Sequence, residues 1–345
     1  MRFYLNILVW NDLRNLPDLI GSIKAQTYQD WVVRILDNGS TDGSFEYLQK
    51  HVSSWLVAHN PRNAGTAVGH NQLAKAFLAH EASRLKESMV IVTSAKVILS
   101  QDFLLNLSRI WEINPDVAVI QPKVFQAVPS APDEPERSVR TDILISTGLI
   151  WPKNWRLYDR GSGEMDNGQY DGAIDLVGPS GIVFALKAEV LLDLMVEEEL
   201  YFKEFFSSKQ DRDLAIRLKR LGYLTRFAPT VTAYYSGEFD DSRAGWWQEW
   251  KNRKMKRPMA RAIDLKDQLL FLLSNLTLGD GLRFGRRILG RELPRIIIGV
   301  VFEPMMRREL LQLGKVWWDV LRKKNIVMSR ARLSPASLRS YVVCL

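Results

Sequence analysis

Four short segments put groups capable of chemistry at the ends of apolar runs. The run Met89 to Val92 stops at Thr93-Ser94-Ala95-Lys96, and Ser100 with Asp102 reads as a helix start just beyond. Ligands of open α/β sheets bind at the carboxyl ends of strands, so the Lys96 ammonium stands where an anion would be met. Asp37 and Asn38 close the run 31–36 and lead into Gly-Ser-Thr-Asp-Gly. Such short polar side chains can read a nucleobase edge, although the same residues are good turn formers with nothing bound. In "NPRNAGTAVGHNQL", Asn63, Gly65, Gly69 and Asn71 lie at a glycine-rich entry to a helix. That suits a phosphate or nucleoside, yet the GxGxxG and Walker patterns are absent. The fourth segment is Gln210-Asp211-Arg212-Asp213, at the start of a helix predicted over about 208–221. There Asp211, Leu214, Ala215 and Leu218 share one face, so the carboxylate is aligned with the inward stripe and can serve as a general base. Asp213 lies about 200° round the helix and can pair with Arg217. A capping box from Ser208 to Asp211 is the plainer alternative.

The elements that must hold these groups alternate along the chain. Strand-like runs at 3–10, 31–36, 55–58 and 88–92 are separated by helical patterns near 15–25, 43–50 and 65–86. This rhythm predicts an α/β fold with a mainly parallel sheet flanked by helices. Residues 126–142 hold three prolines and many charges and read as a surface loop. Strands are expected to resume at 143–150, 174–177 and 181–186, with a last one at 223–228 after the helix that carries Asp211. No internal repeat is visible.

Composition bounds the setting. With 345 residues and 46% hydrophobic content the chain can bury a full core. Its single cysteine, Cys344, cannot form an internal disulfide, which fits a reducing compartment. No apolar h-region precedes the first strand, so a cytoplasmic protein is expected. The net charge of +8 is uneven: residues 251–345 hold 21 Lys/Arg and 7 Asp/Glu, while residues 1–250 hold 26 and 32. The basic quarter points to nucleic acid or an anionic membrane surface. Nucleic acid is not expected, because no RNP, zinc or helix-turn-helix pattern accompanies the charge. From about Met259 the pattern becomes helical, with Arg283, Arg287, Arg291 and Arg295 at every fourth position and Trp317-Trp318 farther on. The longest apolar run there, 296–302, is far short of the roughly 20 residues of a membrane span. These helices are expected to lie on a membrane, with ordinary packing against the core as the alternative.

Taken in order, "LNILVWN", "AQTYQDW", "ILDNGSTDGS", "NPRNAGTAVGHNQLAKAF", "DRGSGEMDNGQYD", "GPSGIVFALKAEVL" and "FFSSKQDRDLAIRLKRLGY" resemble the family 2 glycosyltransferases of the GT-A fold, nearest the bacterial rhamnosyltransferase-like branch. The resemblance spans roughly residues 3–235. It implies a GT-A domain over 1–258, with a nucleotide-binding half (1–100) and an acceptor half (101–258), followed by a basic amphipathic helical region (259–345). It implies sugar transfer from a nucleoside diphosphate sugar, dTDP-rhamnose or a UDP-sugar, to a hydroxyl acceptor with inversion at the anomeric carbon. By position, Val9, Trp10 and Asn11 match the strand end that contacts the base, and Asp37 with Asn38 match the pair that reads it. Asn63, Gly65 and Asn71 match the nucleoside-side segment. Gly178 to Gly181, including Ser180, match the loop beside donor sugar and acceptor, and Asp211 matches the general base. Gln210 replaces the usual glutamate.

Two departures concern the diphosphate. Relatives follow the strand ending at Val92 with an aspartate that holds Mg²⁺ or Mn²⁺, and here Ser94-Ala95-Lys96 stand there. Relatives also end a later strand with a histidine, where this chain has Tyr234-Tyr235. His51, His59, His70 and His80 show no metal-ligand spacing. A lysine gives a hard cation no ligand, so no divalent metal is expected. Lys96 then either neutralises the leaving diphosphate itself, marks a decayed donor site, or points to solvent. The function expected is that of a peripheral enzyme on the inner face of the cell membrane, glycosylating a lipid-linked glycan for bacterial surface polysaccharide. The alternative is a non-catalytic relative that binds glycan or partner transferases. A nucleotidyltransferase, which needs acidic metal ligands, fits less well.

Overall fold

A computed structural model describes residues 1–129, 138–172, 175–206, 209–237 and 257–343. Among the described residues twelve strands run in chain order as β1 (Arg2–Val9), β2 (Trp31–Asp37), β3 (Leu56–His59), β4 (Ser88–Ser94), β5 (Val97–Leu99), β6 (Val119–Pro129), β7 (Ser138–Ser146), β8 (Leu149–Pro152), β9 (Tyr158–Asp159), β10 (Val183–Lys187), β11 (Thr225–Tyr235) and β12 (Val342–Val343). The helices are α1 (Leu16–Lys24), α2 (Ser44–His51), α3 (Thr66–Glu81), α4 (Phe103–Ile113), α5 (Val190–Leu194), α6 (Gln210–Arg220), α7 (Pro258–Asn275), α8 (Leu278–Phe302), α9 (Pro304–Ser329) and α10 (Pro335–Leu338).

Nine strands form one sheet in the order β3-β2-β1-β4-β10-β6-β11-β5, with β7 also on β6. The half built from β3, β2, β1 and β4 is wholly parallel, and β1 is buried along nearly all its length. Buried on both faces, β1 and β4 read as continuous apolar runs, which is why they were legible. Beyond β4 the sheet is mixed: β10 runs antiparallel to both neighbours, while β6 and β11 are parallel. Strands β10 and β7 share one edge of β6, β10 at Val119–Ile120 and β7 from Val124 onward. Gln121 sits in the gap between them, fully buried.

Several boundaries differ from expectation. Residues 126–129 and 138–142 are strand rather than loop, because β6 and β7 pair across Ala127–Arg140 and Val128–Val139; residues 130–137 lie outside the described residues. The run 143–150 breaks at Gly148, whose φ of 107° turns the chain between β7 and β8. The strand expected at 174–177 is a single bridge, Asp175 to Arg226. Ser208 and Cys344 also fall outside the described residues.

One face of the sheet packs on α1 and α4 through Leu19, Ile23, Phe103 and Leu107. The other packs on α3, α5 and α6 through Phe77, Leu191, Leu214 and Leu218. A further cluster joins Ala215 and Ile216 of α6 to Trp151, Trp155, Leu270, Phe271 and Ile288. Helix α6 therefore lies between the sheet and the C-terminal helices. This explains why the Asp213–Arg217 pair expected on α6 is buried at both ends, its carboxylate also accepting from Ser274 and Asn275 of α7. The helices beyond residue 257 share a core with the domain before them, and α8 and α9 still expose Leu278, Leu282, Phe302 and Trp318.

Candidate active site

At the parallel end, the loops after β1 and β2 stitch each other together. Asn11, in the left-handed region at φ 51°, accepts from Thr41 N–H at 2.8 Å and donates its own N–H to Ser40 Oγ at 2.9 Å. Val9 is fully buried and its carbonyl accepts from Asn38 N–H, so its side chain serves the core. Trp10 is half exposed beside it. Asp37 is fully buried; one carboxylate oxygen accepts from His59 Nδ1 at 2.8 Å and Ser40 N–H at 3.1 Å, and the other has no partner among the described residues. Asn38 is committed internally: its amide donates to Asn63 Oδ1 and Gly65 O and accepts from Asn60 and Ala64.

The glycine-rich entry to α3 is closed by the chain itself. Gly65 N–H donates to Asn63 Oδ1 at 2.8 Å, and Thr66 N–H to Phe206 O at 3.0 Å. Asn71 is buried and exchanges two hydrogen bonds with the Tyr201 backbone. Thr66 and Asn71 thus tie the start of α3 to the segment 201–206 that leads to Asp211, while Asn63 and Gly65 hold the turn before it.

Ser94 ends β4, and Lys96 follows with its ammonium 3.9 Å from Asp12 Oδ1. The Lys96 side chain is 42% exposed, turned toward the end of β1. Burial raises the Asp12 carboxyl above its ordinary value against the pull of Lys96. The end of β11 closes the same corner: Tyr235 pairs with Val97, and Ser236 N–H donates to Lys96 O at 2.9 Å. A divalent cation needs several oxygen ligands. Here Asp12 already accepts from Asn15 and faces an ammonium, and among the described residues no group of three or more His, Cys, Asp or Glu side chains can hold an ion.

The carboxylate of Asp211 lies against the glycine loop before β10. Its Oδ2 accepts from Gly181 N–H at 3.3 Å and from the Arg212 guanidinium at 2.5 Å. A Cβ on Gly181 would stand 2.6 Å from Asp211 Cβ, and one on Gly178 2.2 Å from Ala215 Cβ, so only glycines let α6 approach this closely. Ser180 is buried, with its N–H held by Gln121 Oε1 at 2.6 Å. Helix α6 starts at Gln210 after Lys209, which has φ 65° and no side-chain cap. Asp211 is therefore the second helical residue, and its Oδ2 bonds Gly181 and Arg212; the capping box expected from Ser208 lies outside the described residues. Gln210 Oε1 is buried without a partner among the described residues.

Charge surrounds the carboxylate. Arg212 also reaches Asp159 at 3.2 Å, and Lys209 reaches Asp264 of α7 at 3.2 Å; Asp264 in turn holds Arg156 and Arg295. Burial by itself raises the Asp211 pKa, but the Arg212 charge and hydrogen bond, helped by Lys209, bring it below the ordinary value. Burial lowers the Lys209 pKa in spite of Asp264. Sequence reasoning missed Asp12, His59, Gln121, Asp159, Arg212 as a clamp and Asp264. Only Arg212, adjacent to Asp211 in sequence, carried a local signal.

Residues 6–129 match the family model described as glycosyl transferase family 2. The match covers 124 of the 345 residues, the stretch from β1 to β6. The enzyme is a glycosyltransferase of mixed α/β, GT-A-like fold with additional C-terminal helices. No curated protein matches it. Among solved structures it is similar to TarS 1–349 of S. aureus, at 12% identity and TM-score 0.49 over 99% of this chain and 83% of that one. TarS 1–349 in complex with UDP-GlcNAc gives 11% and 0.48 over 99% and 84%. The mannosyltransferase PcManGT from Pyrobaculum calidifontis, in complex with GDP-Man and Mn²⁺, gives 13% and 0.46 over 95% and 85%. At such identities and scores the likeness carries no functional conclusion.

Proposed function

We propose that this glycosyltransferase inverts the anomeric carbon of a nucleoside diphosphate sugar, with Asp211 as general base and without a divalent metal. The reading is supported above all by the Asp211 carboxylate, ionised and set into the Gly178–Gly181 loop, on a helix joined through Tyr201 and Phe206 to the nucleotide half. The donor is a dTDP- or UDP-sugar, dTDP-rhamnose by the sequence resemblance. Its base meets Trp10, half exposed at the end of β1, and its diphosphate faces Lys96.

In the reaction the acceptor hydroxyl oxygen bonds to the anomeric carbon as the bond from that carbon to the diphosphate oxygen breaks. The hydroxyl proton passes to Asp211, a step typically worth 10²- to 10⁴-fold. Both hydrogen bonds to Asp211 among the described residues fall on Oδ2, leaving Oδ1 to receive it. The negative charge growing on the diphosphate is met by the Lys96 ammonium, a point charge on a flexible stem.

The acceptor is a lipid-linked glycan of bacterial surface polysaccharide synthesis, and the enzyme works peripherally on the inner face of the membrane. Among the described residues no helix is long and apolar enough to cross a membrane, while α8 and α9 expose leucines and Trp318 beside cations. Product formation from a panel of dTDP-, UDP- and GDP-sugars tests the reading. Transfer by the wild type, reduced at least about 10²-fold in a folded Asp211→Asn variant, is expected. No turnover with any donor sinks it and returns the non-catalytic reading.

A further inference from the structure

The cations of the C-terminal helices fall into two sets. One is consumed inside the molecule: Lys323 pairs with Glu199 and Glu204, Lys266 with Glu309, Arg295 with Asp264 and Glu292, and Arg339 with Asp280. Of those without an ion pair among the described residues, three gather on α8. Arg283, Arg286 and Arg287, with Lys153 from the turn after β8 and the buried ring of Phe284, line a cavity of about 600 Å³. Among the described residues none of these three arginines forms an ion pair; Arg283 lies 5.8 Å from the centre of the Phe284 ring. Like charges three and four residues apart on a helix repel, each pair costing about 0.2–0.5 kcal/mol. An anion seated among them reverses the sign of that interaction, and the planar guanidinium fork matches phosphate oxygens in pairs.

The helix also indicates where the phosphate comes from. Leu278 and Leu282 are 92% and 91% exposed, and Leu289 and Leu293 continue the same stripe. At about 100° per residue these four leucines fall within about 60° of arc, with Arg286 at its border and Arg283 and Arg287 farther round. A water-exposed apolar stripe bordered on one side by arginines, on a helix of 25 residues, suits the interface plane of a bilayer. The segment that begins with Lys153 also serves the catalytic carboxylate. Its Arg156 holds Asp264, the partner of Lys209, and its Asp159 holds Arg212, the partner of Asp211.

We propose that this cavity binds the phosphate or diphosphate group of a membrane-embedded lipid, through Arg283, Arg286 and Arg287, while Leu282 and Leu289 enter the bilayer. Such a lipid is the acceptor if the transferase reading above holds, and the site is testable without transfer. Flotation of the full chain is measured with phosphatidylcholine vesicles containing phosphatidic acid, a phosphomonoester, or phosphatidylserine at matched surface potential; pyrophosphate in solution is titrated by calorimetry. Tighter binding to phosphatidic acid is expected. Arg286→Lys with Arg287→Lys should keep the attraction to both vesicles but lose the preference, and the double Gln variant should weaken binding about fivefold per cation removed. Leu282→Ser with Leu289→Ser should weaken binding to both vesicles, leaving the melting temperature unchanged. Equal affinity for the two vesicles, or a preference that survives the double Gln change, overturns the site. Tight pyrophosphate binding with no vesicle preference overturns the membrane source. If phosphatidic acid is preferred while no nucleotide sugar is turned over, the catalytic reading fails and the site stands.

Discussion

The nucleotide half and the acceptor half hold their functional groups by different physics. Around β1 and β2, Asn11, Asn38, Ser40, Asp42, Ser44 and Asn63 are fixed mainly by hydrogen bonds to backbone and short side chains of neighbouring turns. Around Asp211, the groups are long and charged, and their partners come from far along the chain: Asp159 on Arg212, and Asp264 on Lys209, Arg156 and Arg295. A site of the first kind is stiff and tolerant of charge changes elsewhere. A site of the second kind couples the base to the C-terminal helices, so substitutions distant in sequence reach the chemistry.

The sharpest way to break this contrast is at the glycine loop. Gly181→Ala places a methyl 2.6 Å from Asp211 Cβ and 2.9 Å from Oδ2, and turnover should fall about 10²-fold while nucleotide binding by thermal shift is retained. Equal losses of both would show that the two halves are not separable. In the nucleotide half, His70 on α3 is buried and burial lowers its pKa to about 4 from 6.5. The unfolded chain binds that proton first, so this group's stability is fully present above about pH 6.5 and is lost as the pH falls toward 4, by up to about 3 kcal/mol. Urea midpoints across that range should decline in the wild type and flatten in His70→Gln.

Next in size, Asp264→Asn leaves Lys209, Arg156 and Arg295 short of a partner. Because these groups are partly exposed, a loss of roughly 2 kcal/mol is expected by chemical denaturation, together with lower kcat and an unaltered KM for donor. An effect on donor KM alone would contradict the coupling. The smallest effect is one of pH. Arg212→Gln removes the charge that offsets burial at Asp211, so the carboxyl pKa should rise and the acid limb of kcat/KM should move to higher pH. An unmoved limb would mean that Arg212 does not set the state of the base.

The same contrast explains what the sequence disclosed. Strands β1, β2 and β4 and the turns after them were legible because apolar runs and Asn-Gly chemistry are local signals. Asp211 was legible as a face position on a helix, but its clamp was not, since no periodicity reports that Asp159 and Asp264 fold back onto it. The pairing of β6 with β7 was hidden by prolines and charges that suit an exposed edge as well as a loop. Asn38 shows the converse: its type and place suggest base reading, yet both ends of its amide are used to hold 60–65. Lys96 stood out as an amine among strand-end residues, and the structure adds Asp12 and the end of β11 beside it.

Metal-free transfer is the most exposed part of the account. Product formation should be followed for EDTA-treated wild type and Lys96→Ala, with and without added Mn²⁺. The wild type should be equally active in EDTA and in Mn²⁺, and Lys96→Ala should lose most of its kcat in both. Activity abolished by EDTA and restored by Mn²⁺, or a Lys96→Ala enzyme as fast as the wild type, would contradict it.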